Sequence, residues 1–471
     1  MVTPWQIECL LARARSLRAE IQRIADKDHP YREPGIIYDA LKEVIDSRVR
    51  AFDDALRLGR KSGDGGRLLA RLFNETRDEL EKVNLELVKA MRVDSARIPF
   101  EILRAMSAAA ENLLGEKCRA VVRLDPQYNY SIEGCEERFK ALKWEPAWRK
   151  TLAESGDNGE KQSAILLVGF PSADAGAILL HALAAHELGH AAGNRWRDEI
   201  ESVRSELVAA AKGQYGSKLV EHIQASARSM MGLGLGVGKS DAYESAARSV
   251  VERLERIAEA WFEELVADLV AARLVGPAFL AAFDRLNLGA GQGSDEHPPS
   301  GLRSEIISTY IADEITEVAT DPVWRIVYEG KHQSSGSKDL LWEIVAGVCR
   351  EGATRIRPML RDVPSRLSGE PGLGQIVSVM ETHLENGTPP TVPLTPAGDS
   401  KDGQIFWLVM YAGWHFRLSL DRFDAFARRF GWQDDLERAE TALGSLMLHG
   451  LQSFELRARW KTSGESIRRV D

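Results

Sequence analysis

Apolar residues recur along much of this chain every three or four positions, the period of an amphipathic helix. Trp5–Ala25 and Gly35–Leu58 show it first, separated by the His29-Pro30 and Glu33-Pro34 breaks. Leu69, Leu72, Leu80, Val83, Leu87 and Met91 then mark a long helix with Glu and Lys on its other face, and Pro99 opens a further helix over Phe100–Leu114. Such stripes predict packing within a helical bundle. The texture changes at Arg119. Ala120–Leu124 and Tyr128–Ile132 are short β-type runs split by Asp125-Pro126, which predicts a turn between strands. Ser163–Gly169, S-A-I-L-L-V-G, predicts a buried or edge strand ending at Pro171, and at an edge it could take substrate backbone by strand addition. A helix through Ala184–Gly193 is expected to start near Ser172 or Asp174, with Gly193 as its C-cap.

Glu199–Val251 is again helical in pattern, interrupted by the glycine-rich Met230–Ser240. That run fails as a phosphate loop: Leu233 stands where the first glycine is needed, and a helical pattern rather than a strand precedes it. It reads as a flexible loop or lid. Val251–Phe279 predicts a long helix with Gly276-Pro277 as a stop signal. Asp339–Arg350, Gly374–Glu385, Ile405–Phe430 and Asp434–Leu451 predict further helices, with Gln333–Lys338 and Asn386–Gly403 as loops or linkers. The fold class expected is therefore α+β and predominantly helical. A helical N-terminal region (1–117) and a helical C-terminal region (314–471) flank a central α+β unit (118–313).

Composition narrows the function classes. The 471 residues are 44% hydrophobic and 28% charged, an ordinary globular balance. The net charge is −9, and Lys and Arg are dispersed, which argues against nucleic-acid binding. Cys9, Cys118, Cys135 and Cys349 lie far apart with no C-x-x-C pair, which argues against a disulfide framework or a thiolate zinc site. The first residues lack the basic-then-apolar order of a signal peptide, and no apolar run is long and unbroken enough for a membrane span. A cytoplasmic protein with no membrane partner is expected.

The chemistry concentrates in Ala184–Gly193, A-A-H-E-L-G-H-A-A-G. His186 and His190 stand at i and i+4 of a helix, so their rings point the same way and can share one metal ion. Glu187 is then placed to hold and deprotonate a water at that metal. A catalytic zinc site of this type needs a third protein ligand. W-F-E-E-L-V-A-D-L offers Glu263 and Glu264, with Glu259 just upstream. Glu264 is preferred because Asp268, four residues on, shares its face and can accept the ring N–H of a ligating histidine.

H-E-L-G-H followed by E-L-V-A-D resembles the gluzincin class of zinc metallopeptidases. The E-x-x-A-D form, with H-P-P-S-G-L-R after it, is similar to the branch holding the CAAX-prenyl and HtpX-like peptidases, though without membrane spans. H-E-L-G-H with E-L-V-A-D-L-V-A-A-R-L-V-G-P is also similar to the ImmA/IrrE peptidases. The resemblance covers roughly residues 164–310. It implies a minimal gluzincin core: a small sheet, the HExxH helix and the Glu-ligand helix. It also implies Zn2+ held by His186, His190 and Glu264, Glu187 as general base, Asp268 as the supporting carboxylate, and His297 as a catalytic residue near the metal that stabilises the tetrahedral oxyanion, with Arg303 beyond it. The alternative for His297-Pro298-Pro299 is a rigid turn, with Arg303 a structural ion-pair partner. His29, His181, His222, His332, His383, His415 and His449 are expected as surface or core residues.

The function expected is a zinc-dependent endopeptidase acting on a restricted protein or peptide substrate. The helical flanks would serve a regulatory partner, self-association or latency. Two alternatives are kept: an inactive zinc-fold scaffold, disfavoured because Glu187 is present, and a zinc hydrolase of a non-peptide amide.

Overall fold

The computed structural model describes residues 4–26, 33–59, 65–91, 100–114, 118–125, 130–154, 164–171, 177–232, 239–286, 293–315, 320–328, 339–365, 367, 372–391 and 402–468. The chain divides into two compact units, Met1–Gly176 and Ala177–Asp471. The division falls inside the stretch 118–313 expected as one catalytic core.

In the first unit, α1 (Pro4–Ala25), α2 (Glu33–Gly59), α3 (Gly65–Met91) and α4 (Phe100–Leu114) follow the helical periods closely. Their apolar stripes, among them Ile21, Leu41, Leu80, Val83 and Leu87, meet Val121, Ile165 and Leu167 of a small sheet in one core. Strands β1 (Cys118–Asp125), β2 (Ser131–Gly134) and β3 (Ala164–Pro171) form that sheet in the order β1-β3-β2. β1 pairs with β3 in parallel, Cys118 opposite Ala164, and β2 pairs with β3 antiparallel, Ser131 opposite Gly169. β1 and β2, expected as strands with a turn between them at Asp125-Pro126, therefore do not pair with each other, because β3 lies between them. This central place suits β3, whose Ile165–Val168 run is buried throughout. It also overturns strand addition at this segment, since both sides of β3 are already paired. Helices α5 (Cys135–Ala141) and α6 (Glu145–Glu154) lie between β2 and β3 in the chain.

The second unit opens with a 3-10 segment, Ile178–Leu183, that runs into α7 (Ala184–Gly193). The regular helix thus begins well after Ser172 and Asp174, which lie outside the described residues. Gly193 is not a left-handed cap either: its φ is −54, and the backbone continues through the 3-10 turn Asn194–Trp196 into α8 (Arg197–Gln214). Next come α9 (Gly216–Gly232) and α10 (Lys239–Val275); the glycine-rich 233–238 is outside the described residues. α10 has 37 residues and starts earlier than the apolar pattern announced. Its first half is amphipathic, whereas Leu265–Ala272 is buried all round, so this half is the central helix of the unit. It stops at Gly276, whose φ of 61 ends the regular turn, and Pro277 opens α11 (Pro277–Leu286).

The unit continues with α12 (Ser300–Glu314), α13 (Pro322–Tyr328), α14 (Leu340–Leu360), α15 (Leu373–Glu385), α16 (Asp402–Leu418), α17 (Leu420–Arg429) and α18 (Leu436–Arg468), of which α12, α14 and α16 pack on α10. The span Ile405–Phe430, expected as one helix, is broken at Ser419, whose Oγ turns back to the His415 carbonyl at 2.8 Å. Among the described residues no helix is long and apolar enough to cross a membrane.

Candidate metal centre

α7 and α10 cross at Gly189. A Cβ built there would lie 2.6 Å from the Ala267 carbonyl oxygen and 2.7 Å from its Cα, so any side chain would force the helices apart. The contact sets His186 and His190 opposite Glu264, three residues before Ala267. The two Nε2 atoms are 3.2 Å apart. Glu264 presents Oε2 at 3.5 Å from His186 Nε2 and Oε1 at 3.5 Å from His190 Nε2. Among the described residues this is the one His/Cys/Asp/Glu group whose geometry could hold a metal ion. An ion with bonds of about 2.0–2.1 Å in tetrahedral geometry has donors roughly 3.3–3.4 Å apart, close to the His–His distance and to the distance from each histidine to its nearer Glu264 oxygen, and one ligand atom from each of the three residues lies within 4.8 Å of the others.

The surroundings fix these donors. His186 Nδ1–H donates to Asp268 Oδ1 at 2.9 Å, leaving the Nε2 lone pair toward Glu264 and His190. Phe279 stacks on the His186 ring, 6.2 Å between centroids and 6° between planes. Asp268 is buried, a costly place for a carboxylate without a partner. Arg303, brought in by α12, supplies the partner with a two-pronged ion pair: Nε to Oδ2 at 2.7 Å and Nη2 to Oδ1 at 2.6 Å. Its Nη1 reaches Glu264 Oε2 at 3.1 Å, and its guanidinium lies 4.6 Å over the Phe283 ring. Arg303 is thus an ion-pair partner of the core and also a direct support of Glu264.

The charges respond to this packing. Burial works against a charged His186, but its hydrogen bonds to Asp268 and Glu264 prevail, and the imidazole is pushed up to about 9. Burial likewise opposes ionisation of Glu264, yet His186, His190 and Arg303 hold it far below the usual carboxylate range. Asp268 is also held low, with Arg303 overcoming its burial. Glu187 goes the other way: burial raises it, only partly offset by His186 and His190. Its carboxylate makes no hydrogen bond or ion pair among the described residues.

His297 is carried by the loop before α12. Ser294 Oγ accepts from the Glu296 and His297 amides at 3.1 and 3.0 Å, and Trp261 Nε1 donates to the Ser294 carbonyl at 2.9 Å. Asp295 is clamped by Arg253 at 2.8 and 2.9 Å and by Trp342 at 3.0 Å. The turn is therefore rigid, as its prolines predict. It brings His297 Nε2 to 3.8 Å from Glu264 Oε1 while the ring stays 60% exposed. Next to His190 a cleft of about 570 Å³ opens between α7, the start of α8 and α10.

No protein-family model, curated protein or solved structure matches this chain. The site therefore rests on its own geometry.

The structure brings together His186, His190, Glu264, Asp268, Arg303 and, more loosely, His297. Glu263 points instead to the cleft, and Glu259 lines it too. The sequence reading missed the requirement at Gly189, the stacking of Phe279 and the reach of Arg303 to Glu264. Only Gly189 left a signal, a glycine inside a helix between two candidate ligands.

Proposed function

We propose that this protein is a zinc-dependent peptidase. The observation that carries the reading is the convergence of His186, His190 and Glu264 donors within 4.8 Å of one another, with an unengaged carboxyl group, Glu187, one residue along from His186. Two neutral imidazoles and one carboxylate are the donor set zinc takes in hydrolytic sites. Zinc held there would act as a Lewis acid on a substrate carbonyl and lower the pKa of water toward about 7.

The chain's own residues supply the rest. Glu187, raised by burial, accepts a proton from the attacking water near neutral pH and passes it to the leaving amine. Asp268 keeps His186 in the tautomer whose Nε2 carries the lone pair. Arg303 holds Asp268 and Glu264 in place and balances their charge. His297, exposed beside Glu264, is positioned to donate to the oxyanion that develops on the carbonyl.

The test is cleavage of a mixed peptide library by the zinc-loaded chain, with new termini read by mass spectrometry. Glu187→Gln should keep its zinc and lose activity by about 10²–10⁴-fold. Cleavage that survives Glu187→Gln at the wild-type rate would contradict the assignment.

A further inference from the structure

The loop 293–299 carries an exposed histidine, yet it is fastened along most of its length. A Cβ on Gly293 would lie 2.8 Å from the Pro299 nitrogen, so the two ends of the loop touch where only glycine fits. Between them the Ser294 amide donates to the His297 carbonyl at 2.8 Å, and Ser294 Oγ accepts from the Glu296 and His297 amides. These bonds fix the shape of the turn. They do not fix where it sits.

Its place is set from α10. Trp261 Nε1 holds the Ser294 carbonyl, and Arg253 grips Asp295 with Nε on Oδ2 at 2.8 Å and Nη2 on Oδ1 at 2.9 Å. Arg253 lies about three turns before Glu264 on the same face of α10. One continuous helix therefore carries the ligand Glu264 and both anchors of the loop, which refers the position of His297 to the metal cluster through a single element. Arg256 approaches Asp295 Oδ2 only to 3.6 Å and is 68% exposed, so the grip is that of Arg253.

The grip is completed from later in the chain. Asp339 caps α14, its Oδ1 accepting from the Leu341 amide at 2.9 Å, and its Oδ2 accepts a third bond from Arg253, Nη2 at 2.8 Å. Trp342, in the first turn of α14, donates to Asp295 Oδ1 at 3.0 Å, and its ring stands edge-on to Trp261 with 5.6 Å between centroids. A guanidinium bonded to two carboxylates at once is held in one orientation, whereas a single exposed pair contributes little. A plain tie between α10 and α14 needs only Asp339. The two-pronged pair falls instead on Asp295, two residues from His297.

We propose that Arg253 is a positioning residue for His297: with Asp339 and Trp342 it fixes the loop on α10 and so keeps the imidazole beside Glu264 Oε1. The inference rests on the peptidase reading for what His297 does there. It adds that the helical C-terminal region, through Asp339 and Trp342, is part of the apparatus.

The experiment compares wild type, Arg253→Met, His297→Ala and the double variant, each as the full zinc-loaded chain, on a peptide that the wild type cleaves. Amide exchange of 293–299 and 184–193 is followed in parallel by mass spectrometry. Arg253→Met should lower kcat by about tenfold to a hundredfold, the scale of a misplaced catalytic group, with zinc content and the exchange of 184–193 unchanged. Exchange across 293–299 should quicken by about tenfold or more. In the double variant kcat should be no lower than in His297→Ala alone, because Arg253 acts through His297. Arg253→Lys, which keeps the charge but not the two-pronged grip, should fall between wild type and Arg253→Met. If Arg253→Met does not fold, Asp295→Asn and Trp342→Phe make the same comparison. Losses that multiply in the double variant, a His297→Ala variant at the wild-type rate, or unchanged exchange of 293–299 in Arg253→Met would overturn the inference and leave the peptidase reading standing. Quickened exchange of the loop with no cleavage of any peptide by wild type would overturn the peptidase reading and leave the anchoring of the loop by Arg253 standing.

Discussion

Gly189 is the residue at which the two ligand-bearing helices touch, and its missing side chain decides whether the donors can meet. With Ala267 backbone atoms under 3.0 Å from a modest Cβ, Gly189→Ala must separate α7 from α10. Overpacking of this kind costs about 1–3 kcal/mol, so chemical denaturation should show a loss of that size, with Gly193→Ala nearer neutral. Wild-type stability in Gly189→Ala would contradict the crossing. A second expectation concerns His186. Its imidazole is pushed up to about 9 because Asp268 and Glu264 favour the proton more than burial opposes it. A metal needs the Nε2 lone pair, so binding below that pH must expel this proton. Fewer protons remain to be expelled as the pH rises. The apparent metal affinity should therefore climb about tenfold per unit from pH 6 to 8 and level off above 9. Competition with a chelating dye across that range measures it, and a flat profile would contradict it. The residue identities at this centre were legible in the sequence because i, i+4 spacing is local. The pairing of Asp268 with Arg303 was not, because Arg303 is 35 residues away and only the packing of α12 delivers it.

At the scale of elements, the helices were read well because their apolar faces repeat. Irregular pieces were not. Ile178–Leu183 is buried throughout and apolar but for His181, so nothing in its pattern separates a 3-10 turn from the first turns of α7. The sheet order escaped for a related reason: short β runs carry no record of which neighbour they pair with. The same unit also holds a charged junction that periodicity could not announce. His415 on α16 sits between two carboxylates, Glu381 of α15 at Nδ1, 2.5 Å, and Asp321 ahead of α13 at Nε2, 2.9 Å. Arg422 of α17 pairs with the far oxygen of Glu381, and the residue before His415 on α16, Trp414, donates to the Leu179 carbonyl at 2.9 Å just before α7. Burial disfavours the imidazolium, yet Glu381 and Asp321 raise it above its ordinary value. A raised pKa means the junction stabilises the fold fully below about pH 6.5, the ordinary value for histidine, and loses that contribution as the pH rises through the raised one. Thermal melts of wild type and His415→Gln should therefore differ most at about pH 6 and converge toward alkaline pH. A gap that widens with pH would be the wrong sign.

For the whole molecule, the predominantly helical α+β class follows from periodicity, but the division at Gly176 does not. A strand followed by a helix carrying ligands reads as one α+β unit, and only the packing shows β3 in the first unit's core while α7 belongs to the second. All groups of the metal centre lie within Ala177–Asp471. The central claim is that His186, His190 and Glu264 hold one zinc ion. Its most direct test is metal content by mass spectrometry on the full chain purified without added metal, beside His190→Ala, Glu264→Ala and Glu187→Gln. The account predicts near one zinc per wild-type and Glu187→Gln chain, and loss of zinc in the other two. A wild type without zinc, or zinc that persists in Glu264→Ala, would contradict it.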